Sequence, residues 1–365
     1  MIYNLPDKDS RVTVPLILVS SQVKNFDQYY DDLVRDLAPR VDYMEICKRL
    51  NGEVSGYGFF RTYWYALGRK FEKMVKIDLF ESFKISRRIS QYNAVLSASE
   101  KTALPLAMLL SLNGLKLPHV VISHHLSSKN KSRLFQLWQI YQSFNEVICV
   151  SKAQTEYAIQ NLNIPASRVH FIYDKVDHQF FRPMEDDSED FILAVGQEQR
   201  DYKTLQRALI GTGIKLIVVA SSHWSTFRLP LLGETNNTQI VQNIPYTLLR
   251  SLYARARLVV IPLYDVNYAA GANSILEAMA MGKPVMISHT TGIKEYLVDN
   301  ETGIFVPPGD PAYLREKILS LWADKQNQKR LGANARQAVE EKMNLHVYVD
   351  RVTQIMENAI KNGGR

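Results

Sequence analysis

The sequence predicts an α/β protein of two doubly wound domains that face each other across a cleft. The chain has 365 residues, which is long enough for two ordinary domains. Short apolar runs, of the kind that buried parallel strands show, alternate along both halves with helical segments. The composition, 46% hydrophobic and 22% charged, is that of a folded globular protein and not of a disordered one.

An acidic, polar run at 184–190 separates the two halves and predicts an interdomain linker. We therefore expect a first domain over residues 1–184, a second over 185–345, and a final amphipathic segment over 346–365. The carboxylates of the acidic run are consecutive and sit on no scaffold, so we predict no metal site there.

The first half contains strand-like and helix-like segments in alternation. The predicted strands are 12–20, 41–46, 94–98, 119–123 and 147–150, and the predicted helices include 26–37 and 104–112. Ser151 and Gln154 have the spacing of a capping box at the start of a further helix. His124 and His125 directly follow the strand at 119–123, where a histidine is free to act on a ligand. Loop histidines without a role are the alternative.

Residues 56–88 alternate aromatic and basic side chains. An amphipathic basic helix of this kind can lie on an anionic membrane surface. The alternative is a core helix whose lysines solvate its outer face, and both interpretations stay open. No recognition motif accompanies the basic residues, so nucleic acid is not a predicted partner.

The second half opens with an apolar strand at 191–195 followed by Gly196. Arg200 and Lys203 come next, near the start of a predicted helix. Two cations just past the carboxyl end of a strand suit a diphosphate, since arginine binds phosphate oxygens bidentately and lysine adds a point charge. A solvated helix start is the alternative reading.

Residues 258–288 form one predicted β-α-β unit with a loop of small residues at its centre. Asn273 and Ser274 are the candidate N-caps of the helix, and Gly282 ends it. The unit places the helix start at the carboxyl edge of the sheet, where open α/β sheets bind ligands. Free N–H groups there suit phosphate, and Gly271 and Ala272 allow it to approach closely. Asp265 is a further candidate in this loop.

Glu277 has two readings from its spacing. It completes a capping box with Ser274, or its carboxylate accepts hydrogen bonds from a ribose diol, as an acidic residue does in dinucleotide sites.

The run L-E-A-M-A-x-G-x-P-V around Glu277 resembles the nucleotide-sugar signature of retaining glycosyltransferases of the GT-B fold, family 4. The resemblance implies two Rossmann-like domains and a nucleotide diphosphate sugar as donor. We expect neither a cofactor nor a metal. By the same resemblance Glu277 holds the donor ribose, and residues 346–365 cross back onto the first domain. Gly196, Arg200 and Lys203 would form the phosphate loop, with Arg200 substituting for the arginine that usually adjoins the glycine and that is Gln197 here.

The resemblance also implies that a histidine after the fourth first-domain strand faces the donor sugar; His125 fits best and His124 second. The family's second glutamate, eight residues before Glu277, is Ala269 here. We therefore expect a hexosyltransferase-type enzyme that moves a sugar to an unidentified acceptor with retention. A nucleotide-sugar epimerase of the same fold and a non-catalytic nucleotide-sugar-binding subunit remain alternatives.

Location follows from what the sequence lacks. We find no signal peptide and no apolar run of membrane-spanning length, so we expect a cytoplasmic protein, with peripheral contact at the inner face of the membrane as an option. The formal net charge of +7 favours an anionic partner without identifying it.

Overall fold

The computed structural model describes residues 13–57, 78–127, 140–184, 189–220 and 237–363. Two six-stranded parallel sheets organise these residues, one in each half of the chain. This confirms the predicted α/β fold of two Rossmann-like domains. Most of the basic aromatic segment and part of the acidic run lie outside the described residues.

The first sheet has the strand order β2-β1-β3-β4-β5-β6, with every neighbouring pair parallel. Its four inner strands are largely apolar and buried, as parallel strands covered on both faces must be, whereas the two edge strands are partly exposed. They are β1 (Val14–Leu18), β2 (Glu53–Ser55), β3 (Tyr92–Ser97), β4 (His119–Ser123), β5 (Glu146–Cys149) and β6 (Val169–Phe171).

Helices cover both faces of this sheet. They are α1 (Phe26–Val34), α2 (Asp42–Leu50), α3 (Leu79–Ser86), α4 (Glu100–Leu112) and α5 (Lys152–Gln160).

The strand predicted at 41–46 is wrong, because these residues begin helix α2. Met44, Ile46 and Cys47 are buried on one side of this helix. Asp42 lies in the first turn and Arg49 in the last, an arrangement that stabilises a helix through its dipole. The helical spacing of the buried residues and the placement of the charges therefore determine the structure of this segment, and the short apolar run that predicted a strand does not.

The second sheet has the order β12-β11-β10-β7-β8-β9 and is also parallel throughout. Its strands are β7 (Phe191–Val195), β8 (Lys215–Val219), β9 (Thr238–Val241), β10 (Leu258–Ile261), β11 (Val285–Ser288) and β12 (Ile304–Val306). Its helices are α6 (Tyr202–Leu209), α7 (Tyr246–Arg255), α8 (Ala272–Ala280), α9 (Pro311–Ala323) and α10 (Lys325–Ala338).

The last helix, α11 (Leu345–Gly363), returns to the first domain. Tyr348, Val352 and Met356 are buried in the same apolar cluster as Ile17 and Leu96 of the first sheet. The chain thus passes between the domains twice, once between β6 and β7 and once at Asn344. Among the described helices, none has the length and apolarity that crossing a bilayer requires.

Candidate active site

The loop between β10 and α8 ends at Gly271, which is the N-cap of the helix. Its φ of 89° lies in the left-handed region, which glycine adopts without steric cost. A Cβ there would lie 3.5 Å from Nη1 of Arg200. Glycine has no side chain to cap the helix, and the first-turn N–H groups have no acceptor within it. The geometry therefore leaves this helix end suited to an anionic ligand.

The predicted N-caps Asn273 and Ser274 are wrong, since both residues lie inside α8. The hydroxyl of Ser274 accepts a hydrogen bond from Nη2 of Arg200 (3.0 Å) and donates one to the carbonyl of Val195 (3.1 Å). Ser274 therefore ties the helix start to the end of β7. Asn273 is exposed at the same end, and Ala272 is buried.

Arg200 lies beneath this helix start and is 5% exposed. Its Nε donates to the carbonyl of Val195 (2.9 Å) and its Nη1 to the carbonyl of Glu198 (2.8 Å). Together with the Ser274 bond, each guanidinium nitrogen uses one hydrogen on the protein, and Nη1 and Nη2 each carry a second hydrogen. A Cβ on Gly196 would collide with the guanidinium, which explains the glycine there.

Glu277 lies further along α8, and its capping-box reading is wrong. Its Oε2 accepts a hydrogen bond from the hydroxyl of Tyr253 on α7 (2.9 Å). Burial raises the pKa of this carboxyl to about 7, although the Tyr253 bond and the charge of Arg200 act in the opposite direction. The group therefore changes charge near neutral pH.

Two buried side chains hold the loop that carries the histidines. Oε1 of Glu100 accepts from the hydroxyl of Ser123 (2.7 Å) and from the N–H groups of His124 (2.9 Å) and His125 (2.7 Å). Oε1 of Gln154 accepts from the next two N–H groups, those at 126 (2.6 Å) and 127 (3.1 Å). The predicted capping box at Gln154 is thus wrong, because its amide serves this loop instead.

The same loop meets the second domain at residues 267 and 268. Nε2 of Gln154 donates to the carbonyl of Asn267 (2.7 Å), and the hydroxyl of Ser127 bonds with Oδ1 of Asn267 (3.0 Å). The His125 ring stacks on Tyr268 with a centroid separation of 4.0 Å and an interplanar angle of 14°. The candidate sugar-facing histidine therefore touches the loop that leads into the candidate phosphate site.

The structure brings some predicted residues together and leaves others apart. Gly196, Arg200, Gly271 and Ser274 form one connected corner. Lys203 is half-buried in the first turn of α6, and Asp265 is exposed on the loop before Tyr268. Within the described residues, no side-chain hydrogen bond or ion pair joins either of them to that corner.

Sequence reasoning missed the residues that join separate elements. Glu100, Tyr253 and Tyr268 carry no local signal of function, because their partners lie more than 20 positions away in the chain. The only sequence signal at Gln154 is its spacing from Ser151. Side chains whose role is to fix a loop from another element are visible only once the fold is known.

Two family models match the chain one after the other. The model for Glycosyltransferase Family 4 covers residues 29–180, and the model for glycosyl transferases group 1 covers residues 216–338. The first match lies within the domain of the first sheet and the second within the domain of the second sheet, although β1 and β7 precede the matched ranges. The uncharacterized glycosyltransferase MJ1178 of Methanocaldococcus jannaschii is 23% identical over 268 residues, which is 71% of this chain and 74% of that protein.

Solved structures share the whole two-domain fold. Sucrose-phosphate synthase from Thermosynechococcus elongatus superposes with a TM-score of 0.70 at 17% identity, covering 96% of this chain and 100% of that one. Anabaena HepE, solved in complex with UDP and glucose, gives a TM-score of 0.67 at 14% identity over 95% of this chain and 100% of that one. The fold is therefore GT-B. Taken with the two family matches, this makes the chain a glycosyltransferase.

Proposed function

We propose that the chain transfers a sugar from a nucleoside diphosphate sugar to an acceptor, with retention at the anomeric carbon. The observation that carries the proposal is the guanidinium of Arg200 beneath Gly271 at the start of α8. Negative charge grows on the diphosphate as the sugar leaves it. Fixed positive charge and helix N–H groups in one place stabilise that charge.

The other candidate residues take roles around this corner. Glu277 holds the ribose, and Lys203 adds charge from the first turn of α6. His125 faces the sugar from the first domain, which also supplies the acceptor side of the cleft. Because the positive groups of the chain stabilise the negative charge of the leaving diphosphate, we expect the transfer to need no cofactor. Contact between the domains excludes water and limits hydrolysis of the donor.

A donor screen tests the proposal directly. Thermal shift with nucleotides and nucleotide sugars identifies the base, beginning with UDP and UDP-glucose because HepE binds UDP and glucose. Turnover is then followed with the stabilising donor. Nucleotide release that depends on an acceptor supports transfer, isomerised donor alone indicates an epimerase, and binding without turnover indicates a non-catalytic subunit. Failure of every nucleotide to bind would contradict all three.

Lys203→Ala tests whether the lysine in the first turn of α6 binds the diphosphate. We expect nucleotide affinity to fall about tenfold, because one point charge on the diphosphate is lost. Arg207→Ala is the matched control: Arg207 is exposed one turn further along the same helix. Isothermal titration calorimetry measures both variants. Equal affinities in the two variants would remove Lys203 from the site.

Exposed aromatic and basic side chains on α3 favour contact with an anionic membrane. Phe80 and Phe83 are 45% and 53% exposed, and the Arg87 guanidinium lies 5.5 Å from the Phe83 ring. Aromatic rings beside cations suit the boundary between headgroups and acyl chains. We therefore propose peripheral contact with the inner face of the membrane.

Vesicle co-sedimentation measures this contact. We expect the protein to bind phosphatidylglycerol vesicles and not phosphatidylcholine vesicles, and Phe80→Ser with Phe83→Ser to weaken binding about tenfold. Val34→Ser, at the 86% exposed Val34 of α1, is the control and should bind as the wild type does. Equal binding by all three proteins would place the contact elsewhere.

A further inference from the structure

The imidazole of His125 is held from both domains at once. Its backbone N–H donates to Glu100 within the first domain (2.7 Å), and its ring lies face to face with Tyr268 of the second domain. The hydrogen bond to Glu100 fixes the position of the His125 backbone, and the stacking on Tyr268 fixes the plane of the imidazole ring. An imidazole stacked at 4.0 Å cannot rotate about its last torsion without losing that contact.

Tyr268 is itself fixed on three sides. Its hydroxyl donates to Oε1 of Glu198 (2.8 Å), and its carbonyl accepts from the N–H of Ala270 (2.6 Å). Its backbone packs directly on Gly292, where any Cβ would overlap it. The side chain is 8% exposed. Tyr268 therefore has one available orientation and can serve as a rigid surface for another ring.

The contacts of Tyr268 lead back to the phosphate corner. Glu198 is exposed on the loop after β7, and its backbone carbonyl accepts from Nη1 of Arg200 (2.8 Å). A continuous series of contacts thus runs from His125 through Tyr268 and Glu198 to Arg200. The group expected to face the sugar and the group expected to face the diphosphate are set relative to each other by one tyrosine.

We propose that Tyr268 is a positioning residue that orients the His125 imidazole across the domain boundary, with Glu198 holding the Tyr268 hydroxyl. The expected effect on catalysis rests on the proposed function, whereas the orientation of His125 by Tyr268 does not. Because the ring surface comes from the second domain, His125 has its working orientation only while the two domains are in contact. Stacking sets the ring plane. The burial and backbone contacts of Tyr268 keep its ring in place, and the hydroxyl bond to Glu198 adds to them.

Histidine ring resonances measure the geometry without any substrate. The ring protons of His125, assigned by their absence in His125→Gln, should appear upfield in the wild type because they lie over the face of Tyr268. Tyr268→Phe keeps the ring and should retain the upfield position. Tyr268→Leu should lose it. Tyr264→Leu, in the same loop at the 41% exposed Tyr264, is the matched control and should retain it.

Either of two spectra would overturn the stack. One is an unchanged His125 shift in Tyr268→Leu, and the other is a wild-type shift equal to that of an exposed histidine. The wild-type spectrum alone shows whether His125 stacks on Tyr268, even if Tyr268→Leu does not fold.

Turnover measures the consequence, with the nucleotide sugar that the donor screen identifies. Tyr268→Leu should lower kcat by about tenfold or more while the donor KM stays within about twofold, because misorientation acts on the reacting geometry more than on binding. Tyr268→Phe should keep most of the kcat. A change confined to KM would contradict a positioning role. If the wild type turns over no donor, the proposed function is contradicted. The resonance measurement still shows whether His125 stacks on Tyr268.

Discussion

Glu277 lies within α8 with its carboxylate beside the hydroxyl of Tyr253. Burial raises the pKa of this carboxyl from 4.5 to about 7. The folded protein therefore keeps a proton that the unfolded chain releases, over the range from about pH 4.5 to about pH 7. Stability must fall as the pH rises through that range and then stay level, because above it both states are ionised.

Glu277→Gln tests this at the residue scale. Glutamine still accepts from Tyr253 but does not titrate, so the fall in stability across that range, at most about 3 kcal/mol, should disappear. Thermal unfolding at a series of pH values measures it. Glu301→Gln, at an exposed glutamate, should keep the wild-type profile.

Nucleotide affinity tests the same residue in its proposed role. In Glu277→Gln, affinity should fall about tenfold at pH 8, because a charged acceptor for the ribose is lost. A variant with wild-type affinity and a changed stability profile would leave Glu277 with a structural role only.

At the scale of the element, α8 is bounded by two glycines in the left-handed region. Gly271 has a φ of 89° at its start and Gly282 a φ of 67° just past its end. A Cβ meets nothing closer than 3.4 Å at either position, so the cost of alanine there is mainly that of the backbone conformation. The two ends differ in what surrounds them. Arg200 lies beside Gly271, and Pro183 lies beside Gly282.

Gly271→Ala and Gly282→Ala should therefore separate stability from binding. Each should lower the free energy of unfolding by about 1–2 kcal/mol, because alanine is strained at positive φ. Only Gly271→Ala should weaken nucleotide binding, since its methyl group faces the Arg200 corner. Chemical denaturation and calorimetry with UDP measure the two effects. Equal losses of nucleotide affinity in both variants would show that the start of α8 is not the phosphate site.

The extent of α8 was predictable from sequence, but its cap was not. The apolar strands on either side and Gly282 fix the helix between them. Asn273 and Ser274 have the chemistry of N-caps, yet the Ser274 hydroxyl is engaged by Arg200, which lies 74 positions earlier. The sequence around Ser274 contains no information about a hydrogen-bond partner so distant in the chain. Likewise, the residues of α2 read as a strand until its buried face and its packing against the first domain are seen.

At the scale of the whole molecule, Tyr296 joins the two domains. Its hydroxyl donates to the carbonyl of Val150 (2.6 Å) and accepts from the N–H of Asp174 (2.8 Å). Both partners belong to the first domain, and Tyr296 is 1% exposed. A single buried hydroxyl thus satisfies two backbone groups of the other domain.

Tyr296→Phe should leave both of these backbone groups without their partner. We expect a loss of about 2–3 kcal/mol of stability and a lower Tm, because an unsatisfied buried polar group costs its full desolvation. Tyr313→Phe, within the second domain, is the control and should unfold as the wild type does. Differential scanning calorimetry measures both. A Tyr296→Phe profile identical to that of the wild type would mean that these two hydrogen bonds contribute nothing to stability.

The two-domain organisation could be predicted from alternating apolar runs, and the GT-B fold from the signature around Glu277. The contacts between the domains could not. His125 and Tyr268 are 143 positions apart, and neither has a neighbour in sequence that indicates the other. Their meeting depends on the relative orientation of two sheets, which the packing of the whole chain determines.

The two passages between the domains run side by side. The N–H of Val176 donates to the carbonyl of Met343 (3.2 Å), and the N–H of Leu345 donates to the carbonyl of Val176 (3.0 Å). A single bridge of this kind permits rotation about the line that joins the two segments and resists sliding, because translation would break both bonds. The cleft should therefore swing open about a single axis. Since α11 follows the second passage, cutting the chain there would remove part of the axis together with one face of the first domain.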